Sequence, residues 1–439
     1  MTGAARRNRR GVAALLVAEV ASLTGSQLST VALPWFVLTT TGSVVRMSWV
    51  MAAYFVPVAL FGIVAGGWAG RVGARRWMIL SDLSRFLLTA AVPALYALDA
   101  LSFPLLLLLT FLTGAFWAPY MASQQTVLAG VTGEDEQSLA RSGSLLQGAT
   151  RTAVVLGPPG GAALVVLLGA PAVLLIDAAS FLVAAALVGW VVTDQARPPE
   201  DAPMRSKVRE GMGVLRRDRL LFFWSAGTMV TESAGQALLA AFPVLVKLQF
   251  RGGVGMVGAL LACFGTGALI GSLLAPLVLR RTTAVRLATS AKVLQVVALV
   301  PIAFALPPWG FAVVLAVWGV FVGLTNGPAA AVRLLRIPVR LRTEAMAVVT
   351  TVTLLGGSAG LLLVGVAFQQ FGTRVPLVVM LVIQAAGAAL FLIGTVRFGG
   401  RPAPDTAVQA EGQRPAVEPA PDAPAAPVKR VRPTGPPSL

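Results

Sequence analysis

Residues 66–76 read GGWAGRVGARR, and a weakened copy returns further along the chain. Gly66 corresponds to Gly271 (271 − 66 = 205), and Arg75 and Arg76 correspond to Arg280 and Arg281. Each copy sits between two long apolar stretches. A second half that repeats the first, with glycines and basic residues at equivalent short loops, reads as a two-half membrane transporter.

The composition around these copies agrees. Of 439 residues, 56% are hydrophobic and only 12% are charged, whereas a soluble domain carries about 25% charged residues. A helix needs about 20 apolar residues to cross a bilayer, and twelve stretches qualify, from 11–38 to 375–396. The expected layout is a cytoplasmic N-terminus (1–10), a six-helix half (11–193), a polar cytoplasmic linker (194–218) and a second six-helix half (219–397). A tail (398–439) rich in Pro and Ala follows and is expected to be disordered. The basic residues at the start precede an apolar run too long for a signal peptide, so that run is read as span 1.

A net charge of +17 would suit nucleic acid, but the charges are placed for a membrane. Sorted by alternate connectors up to the tail, 22 Lys and Arg fall on the side of the termini. Only Arg46, Lys247, Arg251 and Arg374 fall on the other. This positive-inside asymmetry puts both termini in the cytoplasm of a multi-pass protein of the bacterial plasma membrane.

Other chemistries find no support. There is no GxSxG, no HExxH and no histidine, so no enzyme, metal site or cofactor is expected. No GxxxxGK[ST] motif exists, which leaves an ion gradient as the power source in place of ATP. One proton crossing about 100 mV releases about 2.3 kcal/mol, and without histidine the carrier must be a carboxylate. Cys263 is the only cysteine, so no intrachain disulfide forms.

Small residues at four-residue spacing mark close helix approach. Gly62, Gly66 and Gly70 lie on one stripe of span 2, matched by Gly267 and Gly271 in span 8. Gly157, Pro158 and Gly161 lie in GPPGG of span 5, matched by Gly356 and Gly360 in span 11. Matched pairs predict halves that share an architecture and rock on small-residue seams.

The 66–76 segment resembles the cytoplasmic loop signature of the major facilitator superfamily between its helices 2 and 3. Gly66, Arg71, Gly73, Arg75 and Arg76 match the pattern, while Gly70 stands where the family has an aspartate. GPPGG resembles the superfamily's exporter-associated motif. The stretches ALPWFVLTTTGS (32–43) and SDLSRFLLTA (81–90), with the region of spans 4 to 6, are similar to the branch of enterobactin exporters and macrolide efflux proteins. The resemblance implies an all-α fold of twelve helices in two pseudo-symmetric halves, with spans 1, 4, 7 and 10 lining a central cavity.

The residues support those spans independently. Span 1 carries Glu19, Ser22, Ser26 and Ser29 on one stripe, and span 7 carries Ser225, Thr228, Glu232 and Gln236. Span 4 offers Trp117 and Tyr120, and span 10 offers Trp318, Thr325 and Asn326. Interhelical hydrogen bonding is the alternative reading of each stripe. A carboxylate at the bilayer centre costs at least about 2.5–3.5 kcal/mol, so Glu232, 13 positions into span 7, is the first candidate for proton coupling and Glu19 the second. Asp82 and Arg85, three apart on span 3, read as a structural or gating pair that neutralises itself. Asp177 is placed near the outer end of span 6 within reach of water. Arg151 and Lys292 are expected to snorkel.

The expectation is a proton-coupled exporter of an amphipathic small molecule (antibiotic, secondary metabolite or siderophore), with lipid and protons as its other partners. A nutrient importer of the same fold and a non-transporting membrane scaffold or sensor remain open at this point.

Overall fold

The structure is a computed structural model. It describes residues 3–132, 136–191, 204–304, 306–338 and 341–400, and only the backbone at 3–14, 62–72, 122, 125–126, 128–132, 136–149, 151, 191, 204–208 and 343–344. Among the described residues there are thirteen α-helices and no strand. The first half holds α1 (Gly3–Thr41), α2 (Val44–Val72), α3 (Ala74–Ala97), α4 (Phe103–Thr132), α5 (Glu136–Leu168) and α6 (Ala170–Val191). After α7 (Met204–Arg217), the second half holds α8 (Arg219–Leu248), α9 (Val254–Leu279), α10 (Ala284–Leu299), α11 (Pro308–Arg336), α12 (Arg342–Phe371) and α13 (Arg374–Phe398). Helices dominate because in lipid each backbone polar group must be satisfied within its own segment.

Among the described residues eleven helices are long and apolar enough to cross a membrane; in α5 the described apolar stretch, Thr152–Leu168, is shorter. The polar linker differs from a plain connector, because part of it forms α7. Val214 and Leu215 on that helix pack against Ile337 and Val348 while Arg209, Arg216 and Arg217 face outward. The sequence alternates there at helical period, so the segment folds where it has an apolar surface to cover.

The halves repeat one packing scheme. In the first, α1 packs on α5 and α6, α2 on α4, and α3 on α4 and α6. In the second, α8 packs on α12 and α13, α9 on α11, and α10 on α11 and α13. Glycines make these contacts possible. Gly267 and Gly271 of α9 press on the carbonyls of Ala316 and Val320, and Gly319 and Gly323 of α11 press back on Phe264 and Ala268. Gly157 and Gly161 lie against Gln27 and Leu28 of α1, and Gly356 and Gly360 against Met229 and Ser233 of α8. The matched glycine pairs of spans 5 and 11 therefore hold each half together internally. Contacts between halves run along α2–α12 and α5–α9, where Gly365 meets Val44 and Ser48, and Gly258 meets Ala162.

The two ends of the bundle differ. Where α1 and α8 finish, one apolar cluster joins the halves through Phe36, Val37 and Leu38 with Val244, Leu245 and Val246. Lys247 adds a hydrogen bond from Nζ to the Leu38 carbonyl at 3.1 Å. Toward the other end, Leu15, Met78 and Val188 cluster within the first half, and Leu220, Ala288 and Val332 within the second.

Candidate functional site: a cavity in the first half

A cavity of about 190 Å³ opens among α1, α2, α3, α4 and α6. The polar stripe of α1 forms one wall, with Glu19, Ser22, Ser26 and Ser29. Trp117 and Tyr120 of α4 form another, and Trp117 stacks on Tyr54 of α2 at 5.9 Å between ring centroids, 27° apart. Arg85 and Asp177 complete the polar lining.

Glu19 is fully buried. Its Oε1 accepts a hydrogen bond from the Tyr120 hydroxyl at 2.5 Å, and its Oε2 has no hydrogen-bond partner. Arg85 is 2% exposed. It donates from Nη2 to Ser26 Oγ at 3.1 Å and lies over the Phe181 ring at 3.9 Å. It pairs loosely with Asp82 at 4.0 Å. The Asp82–Arg85 pair thus exists, but its arginine also forms part of the cavity wall.

Asp177 corrects the expected exposure: it is 4% exposed, and its Oδ1 has no hydrogen-bond partner. Gly25 explains the burial, since Asp177 and Ser180 of α6 press directly on the space a side chain at 25 would fill. Lys292 is also buried, where snorkelling had been expected. It lies within electrostatic range of Glu232 and Arg333. The side chain of Arg151 lies outside the described residues.

The second-half stripe does not reach this cavity. Arg333 donates to Thr228 Oγ1 at 2.8 Å, Gln236 packs against Gly357, and Asn326 is exposed. Glu232 is half-buried beside the cations Lys292 and Arg333. Thr325 accepts from Gln295 at 2.8 Å, an interhelical bond. The physical reason is a filled space. Trp318 holds in α11 the place Thr113 holds in α4 (318 − 113 = 205). Thr113 lines the cavity, whereas Trp318 is buried against Phe264 at 4.7 Å.

The loop motif is ordered in part. Gly73 has φ +97, a left-handed conformation that glycine adopts without strain, and this lets α3 start directly after α2. Arg75 donates from Nη2 to the Gly189 carbonyl near the end of α6 at 2.5 Å, a cation at a helix C-terminus. Arg76 is exposed. Gly66 and Arg71 fall where only the backbone is described.

The two halves repeat one helical packing scheme, and the model of the Major Facilitator Superfamily matches residues 15–360. The chain belongs to the Major Facilitator Superfamily. It is a multi-pass membrane transporter of that superfamily. It is 26% identical over 366 residues to the multidrug efflux pump Tap of Mycolicibacterium fortuitum, covering 80% of this chain and 87% of that protein. It is 25% identical over 260 residues to the staphyloferrin A transporter of Staphylococcus aureus, covering 58% and 64%. Its fold matches the crystal structure of a bacterial homolog of the human lysosomal transporter Spinster, with TM-score 0.70 at 15% identity, covering 89% of this chain and 98% of that one.

Sequence reasoning undervalued Asp177. A signal was present: Ile176-Asp177-Ala178-Ala179 returns as Ile383-Gln384-Ala385-Ala386 (384 − 177 = 207). One half keeps an acid where the other keeps its amide.

Proposed function

We propose that this superfamily member is a proton-driven exporter of amphipathic small molecules, working by alternating access with both termini in the cytoplasm. The observation that carries the coupling is Glu19. It is a carboxyl wholly removed from water, on the wall of a cavity, with Tyr120 and Gln124 as its hydrogen-bonding neighbours and Oε2 left without a hydrogen bond. A buried carboxylate held by neutral donors and a shared arginine is costly, so a proton or a cationic group completes the site. Glu232 suits the task less well, because Lys292 and Arg333 beside it make it a counter-ion. Export is favoured over import by the similarity to the pump Tap. On this orientation the apolar cluster joining the halves closes the outer face, and Arg75 anchors the cytoplasmic loop that moves during the cycle.

The test is a susceptibility screen with antibiotics and metabolites in a host stripped of its own exporters, followed by uptake into everted vesicles. Compound uptake that collapses when the proton gradient is dissipated is the expected result. No uptake of any compound would return the reading to a scaffold or sensor.

A further inference from the structure

Beyond export itself, and resting on that reading, we infer that the first-half cavity is a receptor for a cationic head group. The cargo is a protonated amine or quaternary ammonium on an aromatic body, with Asp177 as its counter-ion.

Charge balance carries the argument. Arg85 is within electrostatic range of Glu19, Asp82 and Asp177, so one guanidinium serves three carboxyls. That guanidinium bonds Ser26, covers the face of Phe181 and lies 4.0 Å from Asp82, with only Nε left without a hydrogen bond. Tyr54 and Tyr120, the other titratable groups on the walls, add no cation. Glu19 Oε2 and Asp177 Oδ1 are buried and unpartnered, and both residues line the cavity. A proton on Glu19 corrects part of the deficit and a cargo cation at Asp177 corrects the rest. An anionic head would instead meet two uncompensated acids.

The walls fit the same cargo. Aromatic faces attract cations, and the Tyr54–Trp117 stack supplies them. At about 190 Å³ the cavity is smaller than the roughly 300–1,000 Å³ of drug-sized pockets. It takes the head group and its adjoining ring.

The second half lacks this chemistry. At the same register Asp177 becomes Gln384, Asp82 becomes Thr289 (289 − 82 = 207), and Arg85 becomes Lys292 (292 − 85 = 207). The small void beside Gln384 measures only about 10 Å³. Recognition of positive charge therefore resides in one half.

The test uses the full-length protein in nanodiscs and three matched probes: naphthylmethyl-trimethylammonium, naphthalenemethanol and naphthylacetate. The ammonium is expected to bind about tenfold or more tightly than the alcohol, with the carboxylate weakest. Asp177→Asn should erase that preference, so that within the variant the ammonium binds no more tightly than the alcohol. Equal binding of ammonium and alcohol by the wild-type protein overturns the inference, and this comparison needs no variant to fold. A preference that survives Asp177→Asn also overturns it. Export and recognition separate cleanly. Efflux of neutral amphiphiles with no charge preference sinks the receptor and leaves export standing. Ammonium-selective binding without efflux of any compound sinks export and leaves the receptor standing.

Discussion

The Tyr120 hydroxyl reaches from α4 to Oε1 of Glu19 on α1 at 2.5 Å, and both side chains are buried. Two helices far apart in sequence thus share one proton-bearing contact on the wall of the cavity. Whatever changes the charge of Glu19 changes how α1 and α4 hold each other.

Glu19→Gln keeps the size and the bond to Tyr120 but fixes the neutral state. Gradient-driven export is expected to fall by about a hundredfold or more, the lower end of what a positioned proton-transfer group contributes, while cargo binding survives. Glu232→Gln is expected to retain most export. Substrate-induced proton release from proteoliposomes, with binding measured in parallel, checks both. Full coupling in Glu19→Gln, with collapse in Glu232→Gln, would return the proton to α8.

Thr113→Trp places in the first half the side chain that fills the second half. Cargo affinity is expected to drop by about tenfold or more, because the cavity is lost, with overpacking costing about 1–3 kcal/mol of stability. Equilibrium binding and thermal unfolding in detergent separate the two effects. Unchanged affinity would place the cargo elsewhere.

Asp218 accepts from Leu221 N at 3.1 Å and from Arg336 Nε at 2.7 Å, capping α8 and tying it to the end of α11. Asp218→Ala should cost about 1 kcal/mol from the cap, and more from the lost ion pair with Arg336. The readout is a lowered melting temperature with an unchanged range of exported compounds. A changed range with unaltered stability would give Asp218 a part in recognition.

Topology has its own check. With Cys263 replaced by serine, a cysteine at Ala100 should react with an impermeant thiol reagent added outside intact cells, and one at Arg216 should not. Both positions are exposed, so reaction at Arg216 alone would invert the proposed orientation.

Much of this architecture was legible in the sequence because the bilayer leaves few choices. Long apolar runs must be helices, and matched glycines must be close contacts. The stripe on α1 could also be read, since Glu19, Ser22 and Ser26 fall on one face and that face meets the cavity. The stripe on α8 looks the same in sequence yet is spent on Arg333 and on packing against α12. Periodicity reports which residues share a face, not whether the opposite face is space or side chain. Trp318 decided that, from another helix. Depth along a span does not report access to water: Gly25 lets α1 pack directly against Asp177 and Ser180 of α6.

The apolar cluster joining the halves where α1 and α8 finish gives the cycle a thermal signature. Parting those surfaces wets apolar side chains, and newly hydrated apolar area raises heat capacity. If that opening limits turnover, its activation enthalpy grows with temperature, and an Arrhenius plot of export bends instead of running straight. Replacing Phe36 or Val246 by a smaller side chain reduces the area to be wetted and should flatten the bend.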